Sequence, residues 1–249
     1  MLQIDRRDSG VVVLRLAHGK VNALDVELLE AIIVAFGEVG DAPAVVLTGE
    51  GSSFSAGVDL RRIAGASDAA EITEFLDALS RALLTVFAHP KPVVAAVNGH
   101  AIAGGCVLAL AADARLMSGG SMGLSELKVG VAFHTLALEI VRHAAGPSTQ
   151  SLLLSGRLLQ PTEAMEAGLV DRVVESEDLL DAGIAEANRL ARIPAMTYEI
   201  TKRQLHAPAM AAIAREYEIY DAAASQTWTS DTGRAAISAF VAQLSQPRS

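Results

Sequence analysis

The apolar run from Pro92 to Ala112 limits the possible folds of this chain more than any other part of its sequence. It is long enough to span a bilayer, since a transmembrane helix needs about 20 predominantly apolar residues. However, Asn98, Gly99 and His100 interrupt the run, and such a break is typical of a turn. A buried strand, a turn and a buried helix therefore explain the run better than one membrane helix, and we expect no membrane association.

The rest of the chain alternates between strand and helix patterns. Runs rich in β-branched residues predict strands over five ranges: 10–16, 44–49, 92–99, 114–118 and 169–174. Apolar residues at helical spacing predict helices over 26–39, with Asp25 as the N-cap, over 68–88 and over 103–113. From Glu175 onward nearly every segment has helical character. This order predicts one α/β domain with a C-terminal helical appendage.

Charge and cysteine content exclude several functional classes. The formal net charge of the 249 residues is −9 without a basic run, which makes the chain a poor binder of nucleic acid. The single cysteine, Cys106, excludes an intramolecular disulfide, and the N-terminus shows no apolar leader. We therefore expect a cytoplasmic protein. The histidines lack metal-ligand spacing, so we also expect no metal site.

Two loops rich in small residues stand where strands turn into helices. They are FSAGVDL (Phe54–Leu60) and NGHAIAGGC (Asn98–Cys106). Small residues let backbone N–H groups approach a ligand closely. If the two loops converge, their N–H groups can form an oxyanion hole, which stabilises negative charge on a carbonyl oxygen.

A different motif allows a hydrolase interpretation. The residues Gly119–Gly123 fit the pattern GxSxG, the nucleophile elbow of α/β-hydrolases, with Ser121 as the nucleophile. Asp171 or Asp181 followed by His206 would complete the chain order of a catalytic triad. A plain Gly/Ser turn explains the same five residues, since such short patterns arise easily in glycine-rich loops.

Ordered sequence blocks along nearly the whole chain resemble the crotonase family, the enoyl-CoA hydratase/isomerase superfamily. The blocks are KVNALD, AVVLTGEGSSFSAGVDL, KPVVAAVNGHAIAGGC, GLSELKVGV and LLLSGRLLQPTEAMEAGLVDRVV. The resemblance implies an α/β spiral domain of ββα-like units over residues 1–193 and a C-terminal helical trimerisation segment over 194–249. It also implies acyl-CoA or enoyl-CoA substrates, no cofactor apart from the coenzyme A of the substrate itself, and a homotrimer or dimer of trimers.

The resemblance also assigns candidate site residues. Val58 and Gly104 would supply the two backbone N–H groups that stabilise an enolate of the thioester. The coenzyme A moiety would lie against five residues: Lys20, Ala56, Val58, Leu60 and Arg61.

The catalytic carboxylates distinguish the reactions of this family. Hydratases of the family use two glutamates, and the first of their positions is occupied here by Val107. Glu126, in GLSELKVGV, matches the second. One carboxylate and an oxyanion hole are sufficient for a proton shuttle, so the pattern is most similar to the single-glutamate Δ3,Δ2-enoyl-CoA isomerases. Alternatives are a hydratase of altered mechanism, a decarboxylase, a thioester hydrolase and a non-catalytic acyl-CoA-binding protein.

Apolar residues near these positions have two interpretations. Phe133 and His134 follow the Glu126 loop, where the acyl chain passes in the family, although a lone histidine is more often simply packed. Phe75, Leu79 and Leu83 line an acyl tunnel or belong to the plain core.

Three further residues are expected to be structural. Trp228 and Tyr217 are predicted to pack among the C-terminal helices without touching a ligand. Asp113 is predicted to end its helical region and not to act as a base.

Overall fold

The computed structural model describes residues 1–244, which form two sheets surrounded by helices. The large sheet has six strands in the order β1-β2-β3-β5-β7-β10, and the small sheet has four in the order β4-β6-β8-β9. The strands are β1 (Leu2–Arg6), β2 (Val12–Leu16), β3 (Val45–Gly49), β4 (Ser53–Ser55), β5 (Val93–Val97), β6 (His100–Ile102), β7 (Ala114–Met117), β8 (Met122–Gly123), β9 (Leu158–Leu159) and β10 (Arg172–Val173).

The large sheet contains all five predicted strands and one that was not predicted. Its neighbours from β2 to β10 pair in parallel, and β3 and β5 are buried along their whole length, as expected for strands covered on both faces. β1 pairs antiparallel with β2, from Leu2 opposite Leu16 to Arg6 opposite Val12. The residues of β1 are mostly exposed and lack an apolar run, so the local sequence does not predict a strand there. The strand forms because it pairs with β2.

The helices follow the predicted pattern with short additions. They are α1 (Val26–Glu38), α2 (Leu60–Ala64), α3 (Ala69–Phe87), α4 (Gly104–Leu110), α5 (Glu126–Val129), α6 (Thr135–Ala145), a 3₁₀ turn (Gly146–Ser148), α7 (Thr149–Ser155), α8 (Pro161–Glu166), α9 (Leu179–Leu190), α10 (Ala195–Thr229) and α11 (Asp231–Leu244). The predicted cap of α1 is confirmed, because the Asp25 carboxylate accepts a hydrogen bond from the Leu28 N–H at 2.9 Å.

A tight corner brings two chain segments of the small sheet together. Asn98 accepts a hydrogen bond from the Gly49 N–H at 2.9 Å and donates one to the Gly51 carbonyl at 2.9 Å. A Cβ atom at Gly99 would lie 2.0 Å from the Ser52 carbonyl oxygen, so only glycine fits there. The corner sets β4 and β6 side by side and parallel, and the loops that follow these two strands therefore meet.

The apolar run over 92–112 forms β5, β6 and α4. The strand β5 and the helix are as predicted, whereas β6 begins within the predicted turn and was not expected. In the described range 1–244, no helix is long and apolar enough to cross a membrane. Most residues of the run are buried, whereas His100 is exposed.

The C-terminal helices lie against the site-bearing part of the domain. α10 passes through Pro208 without ending and packs along α6 and α3, while α11 packs on α2. The predicted division after residue 193 falls between α9 and α10 and stays a prediction. Residues 245–249 of the predicted trimerisation segment lie outside the described residues.

Candidate active site

The backbone N–H of Val58 is left free by the way its loop pairs with the loop after β2. Leu24 and Val58 form a parallel bridge, in which the Leu24 N–H donates to the Gly57 carbonyl at 2.8 Å and the Asp59 N–H donates to the Leu24 carbonyl at 2.9 Å. This pattern points the N–H of Val58 away from Leu24. Within residues 1–244 it has no hydrogen-bond acceptor.

The second free N–H belongs to Gly104, the first residue of α4, which has no acceptor inside its own helix. The preceding Ala103 has φ +51°, which is rare for a residue with a side chain. A hydrogen bond from its N–H to the Gly123 carbonyl at 2.8 Å holds it there. A Cβ atom on Gly104 would lie only 3.9 Å from the nitrogen of Val58, so the two loops converge as predicted.

Close packing behind the two loops explains their small residues. A Cβ atom at Gly105 would lie 2.3 Å from the Ser55 carbonyl oxygen. Asn22, with φ +51°, donates to the Ser53 carbonyl at 2.9 Å, and its own carbonyl accepts from the Ser55 hydroxyl at 2.7 Å. Sequence reasoning did not single out Asn22, although asparagine is one of the few residues that tolerate positive φ.

Glu126 begins α5 and points into an apolar cavity. Only 7% of its surface is exposed, and its Oε2 atom has no hydrogen-bond partner in the part of the chain that the structure describes. Burial raises the pKa of this carboxyl to about 8, because the charged form loses its hydration. A neutral acid is therefore the resting form at pH 7.

The cavity brings the predicted reaction centre together. Glu126, Val58, Gly104 and Val107 all line it. Val107 is buried and apolar, and Glu126 is the only carboxylic acid among the residues that line this cavity. The structure thus places one carboxylic acid in the same cavity as two residues with free N–H groups.

A larger groove of about 830 Å³ opens on the other side of this centre. It is lined by every predicted coenzyme A residue: Lys20, Ala56, Val58, Leu60 and Arg61. Lys128 also lines it and was missed by sequence reasoning. Within the described range, the side chains of Lys20, Arg61 and Lys128 form no ion pair. They are therefore available to a polyanionic ligand.

The small cavity beyond Glu126 has a volume of about 30 Å³. Leu79 and Leu83 line it, whereas Phe75 does not and belongs to the core. Phe133 and His134 line it as well. The Nε2 atom of His134 lies 3.0 Å from the Ser225 hydroxyl, and burial lowers the pKa of the imidazole.

The expectation for Trp228 needs correction. Its side chain does pack among the C-terminal helices, with 4% exposed, but it also lines both the small cavity and the groove. The indole N–H donates to the Ala132 carbonyl at 3.1 Å, which directs an apolar ring at the site. Tyr217 is 58% exposed, so the prediction that it packs among the C-terminal helices is wrong, and it lies outside both spaces.

The alternative hydrolase triad is not assembled. Ser121 is buried, and its hydroxyl lies 3.0 Å from Nδ1 of His100. His206 instead stacks on Phe87, with 4.0 Å between ring centroids, and Asp171 pairs with Arg115 at 3.2 Å. Ser121 precedes a two-residue strand rather than a helix, so the geometry of a nucleophile elbow is also lacking.

Asp113 has a structural role, as predicted. Its carboxylate accepts from the Lys202 ammonium at 2.8 Å and from the Val93 N–H at 2.8 Å. Across residues 1–244, no group of three histidine, cysteine or acidic side chains is arranged to hold a metal ion.

Comparison with known proteins identifies the family. A family model for enoyl-CoA hydratase/isomerase matches residues 6–247. A relative from Mycobacterium avium, named probable enoyl-CoA hydratase echA17, is 37% identical over 192 residues, which cover 74% of this chain and 73% of the relative. The chain belongs to the enoyl-CoA hydratase/isomerase family, as its sequence blocks predicted.

Solved structures confirm the predicted crotonase fold. Human mitochondrial Δ3-Δ2-enoyl-CoA isomerase superposes with a TM-score of 0.91 at 23% identity, covering 98% of this chain and 97% of that one. An enoyl-CoA hydratase/isomerase family protein from Pseudomonas syringae has a TM-score of 0.80 at 29% identity, covering 88% of this chain and 97% of its own. Both hydratases and isomerases are therefore among the similar proteins.

Proposed function

We propose that this protein moves the double bond of a 3-enoyl-CoA to the 2-position, with Glu126 as the only proton carrier. The observation that carries the proposal is the cavity with one buried carboxyl group, Glu126, beside two free backbone N–H groups and opposite Val107. The coenzyme A moiety would occupy the groove, where three unpaired cations can meet its phosphates in a chain of net charge −9.

The proposed reaction starts at the carbon next to the thioester carbonyl. The Glu126 carboxylate takes a proton from C2, and the electron pair of that C–H bond moves toward the carbonyl and forms an enolate. The N–H groups of Val58 and Gly104 donate to the enolate oxygen, and each such donor contributes a factor of about 10²–10³ in rate. Glu126 then returns the same proton to C4 as the C2–C3 double bond forms and the carbonyl is restored.

The apolar surroundings of Glu126 support isomerisation over hydration. Addition of water requires a second polar group that holds or protonates the water, and Val107 can do neither. A pKa of about 8 also suits a group that must both take up and return a proton near neutral pH.

A single substitution tests the proposal. With a trans-3-enoyl-CoA, wild type should produce the conjugated thioester, measured by its ultraviolet absorbance, with no increase in mass. Glu126→Gln should slow this step by about 10²–10⁴-fold, because it removes the base. Glu139→Gln is a matched control, since Glu139 is also a buried glutamate but pairs with Arg142 in α6, away from the cavity.

Two companion measurements distinguish the other functions. A hydratase, the activity for which the mycobacterial relative is named, would yield a product heavier by one water from a 2-enoyl-CoA. An acyl-CoA-binding protein would bind the thioester in calorimetry and leave it unchanged. Equal rates for Glu126→Gln and wild type would contradict the proton shuttle.

A further inference from the structure

The cavity beside Glu126 offers little room for an acyl chain. The cavity beyond Glu126 measures about 30 Å³, against about 830 Å³ for the groove on the coenzyme A side. A single water-sized group needs about 10–15 Å³ of such volume. Because a methylene group is similar in size to a water molecule, the cavity holds about two or three carbon-sized groups.

A second space lies directly behind this cavity. It is an outer cleft of about 210 Å³ between α3 and α10, with Asp77 and Tyr217 among its lining residues. The cavity and the cleft share three lining residues: Leu76, Ser80 and His134. These three side chains therefore form the wall that separates the inner cavity from the outer cleft.

His134, one of the three wall residues, is also held in place by helix α10. Its Nε2 atom lies 3.0 Å from the hydroxyl of Ser225 in α10. The next residue, Thr135, donates its N–H to the Asp221 carboxylate at 2.8 Å, so the backbone beside His134 is tied to the same helix. The imidazole is thereby held in place between the cavity and the outer cleft.

We propose that His134 is a specificity-determining residue that ends the acyl pocket and restricts the protein to short acyl-CoA thioesters. The inference rests on the proposed function only in that the acyl group enters this cavity. It does not require that the double bond moves, so binding and turnover test the two proposals separately.

The experiment compares short and long thioesters in both readouts. Calorimetry gives the Kd of butyryl-CoA and decanoyl-CoA, and the conjugation assay gives kcat/KM for 3-butenoyl-CoA and trans-3-decenoyl-CoA. Wild type should favour the short thioester in both. His134→Ala should join the cavity to the cleft and improve the long-to-short ratio by roughly tenfold or more, because several additional methylene groups become buried.

Two further variants test whether the change in the ratio comes from the position of the His134 side chain or from a general loss of packing. Ser225→Ala leaves the imidazole in place but removes its hydrogen bond, so it should shift the ratio in the same direction by a smaller factor. His100→Ala is the matched control, since His100 also bonds to a serine hydroxyl at 3.0 Å but lines neither space. It should leave the ratio unchanged.

The outcomes distinguish the two proposals. Equal or tighter binding of decanoyl-CoA by wild type, binding of neither thioester, or an unchanged ratio in both His134→Ala and Ser225→Ala would overturn the inference. The expected binding preference without any isomerisation would support the inference and contradict the proposed function. A gain with the long thioester cannot result from misfolding, which lowers both signals.

Discussion

Glu126 supplies the carboxyl group of the candidate site, and its apolar surroundings set the pKa of that group. A carboxylic acid in an apolar cavity keeps its proton at pH values where an exposed glutamate is ionised, because burial disfavours the charge. Its position on the short helix α5 opposite Val107 leaves it without a second acid as partner. The same side chain can therefore both accept and return a proton.

The raised pKa of Glu126 predicts an alkaline pH profile. The reaction begins with the carboxylate, and below pH 8 most molecules carry the protonated acid, since the pKa is about 8. The value of kcat/KM for a 3-enoyl-CoA should therefore increase about tenfold per pH unit below pH 8 and level off above it. Steady-state rates between pH 6 and 9 measure this profile, and a flat profile over that range would contradict it.

Helix α10 connects several parts of the molecule at the level of elements. Its last turns hold the segment after α5, since Thr227 accepts a hydrogen bond from the Ala132 N–H at 2.9 Å and Trp228 donates to the Ala132 carbonyl at 3.1 Å. Its first half carries Lys202, paired with Asp113, and His206, stacked on Phe87. One helix thus supports both the site and the far side of the core.

The junction of α10 with α3 and α6 should make the fold sensitive to acid. Burial, with the neighbouring His143 and Lys202, lowers the pKa of His206 to about 4, and burial lowers that of His89 to about 4 as well. Both imidazoles stay neutral in the folded state while the unfolded chain binds protons near pH 6.5. Stability is therefore present above pH 6.5 and is lost as the pH falls toward 4.

Thermal unfolding between pH 7 and 4 measures this loss. His206→Phe keeps a ring for stacking on Phe87 but cannot bind a proton, so its Tm should fall less steeply than that of wild type. His100→Phe, at an exposed position, serves as the control and should follow wild type. The same slope for His206→Phe as for wild type would show that this histidine does not contribute to acid unfolding.

At the scale of the whole molecule, α10 presents large apolar side chains to the outside. Met196, Ile200, Leu205 and Ile219 are each at least half exposed, which is costly unless another surface covers them. We propose that the chain assembles as a homotrimer or a dimer of trimers through this helix, as the family resemblance implies.

Sedimentation measures the assembly directly. The mass should be three or six times the chain mass of 25.9 kDa. Ile200→Glu should reduce it, because a charge placed in an apolar interface is expensive to desolvate. A control substitution, Glu177→Gln, lies on a loop before α9 and should leave the mass unchanged. A mass of one or two chains for wild type would contradict the proposal.

Local sequence patterns were sufficient for most elements, whereas the residues of the reaction centre were assigned through the family resemblance. β-branched runs predicted the parallel strands, Asp25 predicted the start of α1, and the small residues around Val58 and Gly104 indicated loops that can approach a ligand closely. Each of these signals arises from neighbours in the chain, where propensity and capping act. The positions of Val107 and Glu126 in the sequence blocks were sufficient to predict that the site has one catalytic carboxylic acid and not two.

The tertiary structure alone decided the size of the acyl pocket and the residues that close it. The bond between His134 and Ser225 and the bond between Ala132 and Trp228 each join residues more than 90 positions apart. β1 likewise exists through its pairing with β2. Contacts of this kind depend on how whole elements pack and leave no periodic trace in the local sequence. The family was thus readable along the chain, whereas the shape of the cavity beside Glu126 was not, because that shape depends on contacts between distant elements.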